Sequence, residues 1–516
     1  MNPVELSIFA SRLEAVCDEM GAVLRNAAFS PNIRDRLDFS CAVFDARGEL
    51  CAQAAHIPVH LGSMAYAMAE IVAKVEWHEG DMVVLNDPFM GGTHLPDVTL
   101  IAPLFHAGEL TAFLVNRAHH ADIGAVSPGS MPVSHTLDQE GRVIPPGKLV
   151  RGGVVDAGFL ASIIRDNRNQ SESEGDFAAQ ISANRSGLKR LAQLIDEWGK
   201  VPFLAGLEAL NAYAERLARD ALKQIPPGEY RFTELMDDDG QGNRDIPIAI
   251  RLAVEKERIL VDFSGTADQV PGNINAPLSV AAAAVFYAFR CLMPPQTPAC
   301  AGSFRPIELH VPPGCLLNAK RPAAVAAGNV ETSTRVVDAV LGALAQVLPD
   351  RIPAASHGSM NNLAMGSVGG GLRWDYYETI GGGMGAGKRG GGLHGVQTHM
   401  TNTLNTPIEV IEARFPVRVV KYSLRRGSGG RGIRPGGDGL VRHFRFLAPT
   451  QVTLLTERRS HRPWGCAGGE PGKAGINSHN GKVLPAKVTL LVESGDEIAI
   501  DTPGGGGWGD PSVRGA

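Results

Sequence analysis

The sequence predicts a mixed α/β protein (α+β) built from several subdomains. Segments with apolar residues at every third or fourth position alternate with short apolar runs that end at glycine turns, which are the patterns of helices and strands. The chain has 516 residues, more than a single hydrophobic core usually serves. Its 61 glycines and 34 prolines are clustered without a period. We therefore expect a glycine-rich, β-rich C-terminal part rather than a fibrous or disordered chain.

Four regions follow from the distribution of these patterns. Residues 1–156 form an N-terminal α/β region, and residues 157–226 form a helical region that ends at the turn Pro226-Pro227-Gly228. Residues 227–350 return to an α/β pattern, and residues 351–516 form the glycine-rich, β-rich part. Proline and glycine mark the boundary between the second and third regions because they interrupt helices.

In the first region, apolar residues at spacings of three and four predict a helix over residues 3–27. Two short strands at 39–45 and 50–54 then form a hairpin around a glycine turn, and a helix follows over about 62–75. The second region is helical over residues 157–224, with amphipathic runs such as FLAGLEALNAYAERLARDALKQI.

The third region is rich in strands and contains two further helices. One is the small-residue run LSVAAAAVFYAFRCLM, and the other is TRVVDAVLGALAQVL, which opens after Gly328. Thr332 or Ser333 is placed to cap the second helix. Its first N–H groups also make an anion site possible, although capping is the stronger expectation.

Composition excludes several classes of protein. A net charge of −5 and a pI near 6.3 argue against nucleic-acid binding, which requires a basic face. Seven cysteines without a CxxC pair are typical of free thiols in a reducing compartment. The acidic N-terminus does not resemble a signal peptide, and no apolar run is long enough to cross a membrane. We expect a cytoplasmic protein.

The stretch from residue 84 to 124 carries a high density of imidazoles and carboxylates. The strand MVVL leads into a loop with His94 and Asp97, and the strands VTLIAPLF and LTAFLV follow around a turn at Ala107-Gly108. The second of these strands ends near His119. A hairpin places the start of one strand beside the end of the other, so both groups are expected at one rim of a sheet.

These side chains suit one divalent metal ion, with His94, Asp97 and His119 as the predicted ligands. Zn, Mn, Fe and Co accept imidazole nitrogen and carboxylate oxygen, and a catalytic centre leaves one position open. An alternative stays open for each of these residues taken singly: the side chain caps the end of a strand and does not bind metal. His56 and His60 either face the same rim or only order their own loop.

The glycine-rich run at 382–392 nearly matches a phosphate-binding loop but is not expected to bind nucleotide. Gly382 and Gly387-Lys388 have the required spacing, yet Arg389 replaces the Ser or Thr that binds magnesium. Glycines follow where a helix is required. Any ATP-dependent chemistry must therefore obtain ATP from another chain.

Eight motifs in order resemble the hydantoinase B/oxoprolinase family and cover nearly the whole chain. They are DFSCAVFDARGEL, AQAAHIPVHLGSM, NDPFMGGTHLPDVTLIAPLF, NRAHHADIGAVSPGSMP, DFSGTADQVPGNINAP, AGNVETSTRVVDAVLGAL, RRGSGGRGIRPGGDG and GGGGWGDP. The family includes a subunit of ATP-dependent N-methylhydantoinases, half of 5-oxoprolinase and the metal-bearing subunits of acetone and acetophenone carboxylases. Its metal residues, a His-x-x-Asp loop and a later histidine, correspond to His94, Asp97 and His119. Trp508 replaces a tyrosine of the family's last motif, a change we interpret as neutral.

The resemblance implies a metal-dependent subunit of a cyclic-amide hydrolase of the hydantoinase or oxoprolinase type. Its partner would be a hydantoinase A-type subunit that uses Mg-ATP to phosphorylate the substrate, in a hetero-oligomer such as (AB)2. Asp122 or Asp87 is then the expected general base, and His120 an orienting group or acid. Arg117 is expected to hold phosphate or a substrate carboxylate. His120, Asp122 and Asp87 are also reserve metal partners.

Two other functions remain open. An ATP-dependent ketone carboxylase would use the same metal for an enolate and carbon dioxide, and a third small subunit would accompany it. A non-catalytic subunit would only dock or shape the partner and would hold no tightly bound metal. The sequence does not choose among hydantoin, oxoproline, another lactam or a ketone as the substrate.

Overall fold

The computed structural model describes residues 1–54, 57–256, 258–368 and 373–512. It has the mixed α/β architecture with several sheets that the sequence predicts. The helices are α1 (Pro3–Ala27), α2 (Pro31–Arg34), α3 (His60–Ile71), α4 (Ala157–Ile164), α5 (Gln170–Trp198), α6 (Lys200–Leu222), α7 (Leu278–Arg290), α8 (Ser333–Ala345) and α9 (Ile408–Arg414).

The strands of the first two sheets are β1 (Phe39–Asp45), β2 (Leu50–Ala54), β3 (Met82–Leu85), β4 (Asp97–His106), β5 (Glu109–His119), β6 (Gly147–Arg151), β7 (Val154–Val155), β8 (Gly228–Asp238), β9 (Arg244–Val254), β10 (Ile259–Asp262) and β11 (Ile307–His310). Those of the C-terminal part are β12 (Asn362–Ser367), β13 (Asp375–Glu378), β14 (Val417–Arg425), β15 (Gly439–Phe446), β16 (Thr450–Leu455), β17 (Ile476–His479), β18 (Lys482–Leu484), β19 (Lys487–Val492) and β20 (Glu497–Asp501).

The N-terminal sheet has seven antiparallel strands in the order β2-β1-β5-β4-β3-β6-β7. Helices α1 and α5 cover one face, where Leu114 and Ala118 of β5 are buried. Helix α3 covers part of the other face, where Phe113 and Val115 are buried. Because side chains alternate along a strand, the odd-numbered residues of β5 lie on the α3 side.

The second sheet, β11-β10-β9-β8, packs against α7 and α8 in the largest hydrophobic cluster. Helix α8 continues directly from a π-helical turn, Gly328–Thr332. The predicted caps are therefore wrong: Thr332 already has helical φ and ψ of −65° and −37°. Ser333 Oγ donates to the carbonyl of Asn329 at 2.6 Å, as hydroxyls inside a helix commonly do. The first N–H groups of α8 are consequently not a free anion site.

The C-terminal part contains the sheets β13-β12-β16-β19 and β14-β15-β20-β17-β18, which share one core. Its glycines are needed because backbone segments run in direct contact. A Cβ at Gly504 would lie 2.0 Å from Ser428 O, and one at Gly505 would lie 2.1 Å from Met384 O. These close approaches admit only glycine, which accounts for the glycine-rich composition.

All seven cysteines are free thiols, as predicted. None of the helices in the described part of the chain has the length and apolar character that crossing a membrane requires. The division into four regions remains a prediction.

Candidate metal centre

The register of the β4–β5 hairpin pairs Asp97 directly with His119. Side chains alternate along a strand, so His119 lies on the same side of the sheet as Phe113 and Val115, which is the α3 side. Asp97, as its cross-strand partner, lies on that side too. The next pair on that side is Thr99 with Arg117. The hairpin thus brings two predicted ligands together at the rim, as the sequence predicts.

A tight turn brings the third predicted ligand to the same place. The backbone N–H of Asp97 donates to the carbonyl of His94 at 3.1 Å. His94 Nε2 then lies 3.3 Å from Asp97 Oδ1, and His119 Nδ1 lies 3.2 Å from the same oxygen. Each of the three residues offers a ligand atom within 4.8 Å of the others, and all three are buried.

This geometry fits a divalent metal ion. Ligands at about 2.0–2.2 Å from one tetrahedral ion lie about 3.4 Å apart, close to the two distances to Asp97. The Nε2 atoms of His94 and His119 are buried and have no hydrogen-bond partner among the described residues. Buried polar atoms normally have a partner, so Nε2 of His94, which also faces Asp97 Oδ1, indicates a site for a ligand.

The chain fixes the orientation of His94 through its other ring nitrogen. His94 Nδ1 lies 3.2 Å from the carbonyl of Ala326. A carbonyl only accepts hydrogen bonds, so Nδ1 carries a proton, and Nε2, beside Asp97, is the ring nitrogen available to a metal ion. The N–H groups of Val325 and Ala326 in turn donate to the buried carboxylate of Glu140 at 2.9–3.0 Å.

The other two ligands are also held by neighbours. Asp97 Oδ2 accepts hydrogen bonds from Thr93 Oγ1 and, at 3.3 Å, from Asn329 Nδ2. The ring of His119 stacks on Tyr377, with centroids 4.8 Å apart and planes 8° apart. Such partners restrict the rotamers of the ligands and so preserve the site.

The charges of the cluster are complementary. Burial alone raises the pKa of Asp97, but His94, His119 and His60 hold it well below its usual range. Burial lowers the pKa of His94, yet Asp97 and the Ala326 carbonyl bring it above its ordinary value. Burial also lowers the pKa of His119. Asp97 is therefore a carboxylate, and His119 is neutral near pH 7.

A cavity of about 20 Å³ adjoins the cluster, enough for a single water or ion. His60 lines it, with Nε2 3.4 Å from Asp97 Oδ2 and Nδ1 3.0 Å from Ser40 Oγ. His60 therefore faces the rim of the sheet. This was one of the two alternatives for His60 from the sequence, the other being that it only orders its own loop. His56 lies outside the described residues. The cavity is lined by Asp38, Ile57, Val59, His60, Asp97, His119, Asn329, Val330, Met360, Tyr377, Thr379 and Thr401.

Asp87 and Asp122, the predicted general bases, do not line this cavity. Asp87 Oδ1 accepts from the N–H of Phe89 at 3.0 Å, and its other oxygen pairs with Arg321. Asp122 accepts from the N–H groups of Gly124, at 2.8 Å, and Arg168. Both carboxylates order loops, so this geometry does not favour their predicted role.

His120 and Arg117 have different surroundings. His120 follows the last residue of β5 and lies beneath α5, where Nε2 lies 2.9 Å from Gln180 Oε1 and the ring centroid lies 4.6 Å from that of Phe177. Arg117 is on the side of the cluster, but it donates to Ser63 Oγ at 2.6 Å, and burial lowers its pKa to about 10. A contact of Arg117 with phosphate remains a prediction.

Of the residues that line the cavity, sequence reasoning singled out only His60, Asp97 and His119, and it missed polar neighbours such as Asp38, Asn329 and Tyr377. Each belongs to a segment far from the hairpin in sequence, so no local spacing indicates it. A signal was present for Asn329, because it lies in the AGNVETSTRVV motif at an unusual helix start.

Hydrogen bonds lead from Tyr377, whose ring stacks on His119, to Glu331. The hydroxyl of Tyr377 donates to Asn362 Oδ1 at 2.7 Å, and Asn362 Nδ2 donates to Glu331 Oε1 at 2.6 Å. Glu331 is fully buried, and burial together with the nearby charge of Glu457 raises its pKa to about 8. Glu331 is therefore protonated at neutral pH.

This protonation predicts a pH dependence of stability. The folded-state pKa of about 8 lies above the ordinary value of 4.5, so between these values the folded protein binds more protons than the unfolded chain. The free energy of unfolding should therefore fall as pH rises through this window. Glu331→Gln imitates the protonated form and should reduce the slope in urea unfolding measured from pH 5 to 8. Glu308→Gln, at an exposed carboxylate, should leave the slope unchanged, and an unchanged slope in Glu331→Gln would contradict the prediction.

The fold and the cluster define a class: mixed α/β proteins with a buried His-x-x-Asp and histidine cluster at the rim of a β-hairpin. The chain belongs to the Hydantoinase B/oxoprolinase family, whose sequence profile matches residues 2–511. The family that the sequence motifs resemble is thus confirmed.

Two relatives and one solved structure are similar to the chain over nearly its whole length. It is 39% identical over 524 residues to a 5-oxoprolinase of Dictyostelium discoideum, covering 99% of this chain but only 40% of that protein. It is 32% identical over 541 residues to the proposed B subunit of a D-/L-hydantoinase from Pseudomonas sp. (strain NS671), covering 100% of this chain and 91% of that one. The crystal structure of an ATP-dependent caprolactamase from Pseudomonas jessenii superposes with a TM-score of 0.92 at 27% identity, covering 100% of this chain and 92% of that chain.

Proposed function

We propose that this chain is the metal-dependent subunit of an ATP-dependent hydrolase of cyclic amides. The observation that carries the proposal is the buried cluster of His94, Asp97 and His119 in a chain of this family. The names of the similar proteins support a shared substrate class, since oxoproline, hydantoin and caprolactam are all cyclic amides.

The need for ATP follows from the chemistry of the amide. Resonance with nitrogen makes the ring carbonyl a poor electrophile, and transfer of phosphate to its oxygen gives an activated imidate with a good leaving group. We infer that a separate hydantoinase A-type subunit performs this transfer with Mg-ATP. In this chain the run 382–392 has irregular backbone, and the next helix begins only at Ile408. The Dictyostelium relative is much longer than this chain, so its remaining sequence is a candidate for the activating part.

The residues of this chain prepare the centre for hydrolysis. A bound divalent ion (Zn, Mn, Fe or Co) supplies Lewis acidity there. His94 presents Nε2 because its proton is held at Nδ1 by the Ala326 carbonyl. Asp97 stays ionised, and the stacked ring of Tyr377 holds the plane of His119. Burial excludes bulk water, which protects an activated substrate from unproductive hydrolysis.

A reconstitution experiment tests the proposal. The chain is co-expressed with a hydantoinase A-type partner, and ATP turnover is measured with 5-oxoproline, hydantoin and caprolactam. Acetone with bicarbonate is included to detect carboxylation. We expect ATP turnover that depends on a cyclic amide, tightly bound metal in this chain and a stable hetero-oligomer on sizing. Turnover with the ketone alone, or purified chain without metal, would contradict the proposal.

The isolated chain should not bind nucleotide. Its one P-loop-like run lacks the magnesium-binding hydroxyl and the helix whose N-terminus would hold phosphate. Calorimetry with Mg-ATP should therefore show no heat of binding until the partner is added. Micromolar affinity of the isolated chain would place the activation step in this subunit instead.

A further inference from the structure

Asn329 reaches the metal centre because the chain forms a π-helical turn at Gly328–Thr332. Single π turns often occur at functional sites, since the extra residue shifts a side chain out of α-helical register. Gly328 permits this turn beside a neighbouring segment: a Cβ there would lie 1.8 Å from Asn275 O. The π-helical turn replaces regular α-helix at this point and places Asn329 beside Asp97.

The two edges of the Asn329 amide have different surroundings. The NH₂ edge faces Asp97, because Asn329 Nδ2 donates to Asp97 Oδ2 at 3.3 Å. The opposite edge is Oδ1. This oxygen is buried and has no hydrogen-bond partner in the described ranges. A buried carbonyl left unpaired costs about 1–3 kcal/mol, so Oδ1 requires a donor.

The cavity limits what that donor is. Asn329 lines the cavity of about 20 Å³ beside Asp97 and His119. That volume is the size of one water, which needs two to four polar partners. Asp38, Thr379 and Thr401 supply further polar groups in the lining. A lactam ring is several times larger than this space, so water is the occupant that fits.

We propose that Asn329 orients the water that attacks the activated carbonyl carbon, an inference that rests on the proposed function. The water donates one O–H to Asn329 Oδ1, which turns a lone pair toward the carbon beside the metal centre. Attack forms a C–O bond as the C=N π pair moves to the ring nitrogen, and both protons of the water pass to that nitrogen as the ring C–N bond breaks. The neutral amide of Asn329 takes up no proton. The resulting acyl phosphate then loses phosphate to a second water. Asn329 therefore contacts the reacting atoms, whereas Thr93 supports Asp97 without lining the cavity.

Two variants separate orientation of water from support of Asp97. Asn329→Ala removes the Oδ1 acceptor and one hydrogen bond to Asp97 Oδ2, whereas Thr93→Val removes a different bond to that oxygen and leaves the acceptor in place. Both are studied in the complex with the ATPase partner, with metal content, ATP turnover and ring opening measured on 5-oxoproline. Hydroxylamine, a stronger nucleophile, is added to trap activated substrate as hydroxamate.

In Asn329→Ala we expect metal content to be retained, while ring opening per ATP hydrolysed falls about 10- to 100-fold, as for a misplaced reacting group. Hydroxylamine should restore acyl transfer, so the ratio of hydroxamate to acid rises above that of the wild type. Thr93→Val should weaken metal binding, as loss of a residue that supports a ligand does, but should keep the wild-type ratio of hydroxamate to acid. Asn329→Ser is measured in parallel, so that poor folding of the alanine variant does not leave the question open.

Three outcomes would overturn the inference. Equal ratios in the Asn329 and Thr93 variants would make Asn329 a structural support, as would loss of metal from the Asn329 variants. The third outcome comes from calorimetry with 5-oxoproline and its N-methyl analogue. If the wild type binds 5-oxoproline more tightly than the N-methyl analogue and Asn329→Ala does not, Oδ1 accepts a hydrogen bond from the ring N–H and not from water. If the wild type opens no cyclic amide at all, the proposed function fails first, and that result is distinct from these three.

Discussion

Replacement of His94 or His119 by alanine is expected to remove bound metal and ring-opening activity together. Each histidine contributes one of only three predicted ligands, and both are buried against Asp97. Loss of residues that only support a ligand typically costs about 10- to 100-fold, so loss of a ligand should cost at least about 100-fold in activity. Metal analysis and ring-opening assays on the partner complex measure both effects.

The fold should survive these changes. Without one histidine, Asp97 still receives hydrogen bonds from Thr93 and Asn329 and keeps His60 beside it. ATP hydrolysis in the partner subunit should persist in uncoupled form, because that chemistry is proposed to lie in the other chain. His106→Ala, at the opposite end of the same hairpin, is the matched control and should retain metal and activity. Full metal content and turnover in both cluster variants would require a site built on other residues.

Glu457→Gln is expected to have the largest effect on stability. Glu457, Arg335 and Lys487 all have side chains with 0% exposure. The carboxylate lies 2.8 Å from Arg335 Nη2 on α8 and 2.6 Å from Lys487 Nζ on β19. Without Glu457 these two cations keep only longer contacts, to Glu234 at 3.9 Å and to Asp238 at 3.7 Å. Removal of one partner from a buried ion pair typically costs about 3–5 kcal/mol. Urea unfolding should show this as a lower midpoint of the first transition.

Two controls define the cause. Glu470→Gln breaks an exposed ion pair with Arg431 and should leave the midpoint nearly unchanged, since solvent screens such pairs. Combining Glu457→Gln with Arg335→Met and Lys487→Met replaces the buried charges by uncharged groups and should restore part of the lost stability. If Glu457→Gln unfolds at the wild-type midpoint, the three charges do not hold α8 to the C-terminal sheet.

The local elements of the N-terminal part could be predicted from the sequence because their signals are local. The helix at residues 3–27 and the strands at 39–45 and 50–54 match α1, β1 and β2 residue for residue. The convergence of His94, Asp97 and His119 at one rim was also predictable from the hairpin. The direct pairing of Asp97 with His119 was not, because it depends on a bulge between Leu104 and Phe105 that shifts the register set by the two-residue turn. The predicted caps Thr332 and Ser333 were wrong, since an adjoining π turn has no signature in helix periodicity.

The sequence by itself determined the family, the glycine-rich C-terminal part and the three residues of the cluster. Only the tertiary structure decided which neighbours join them. Strand parity separates His119 from His120, and loop contacts engage Asp87 and Asp122 elsewhere. Distant segments supply Asn329 and Tyr377. The physical reason is that spacing along a chain encodes hydrogen-bonded local geometry, whereas packing between distant segments depends on the whole core.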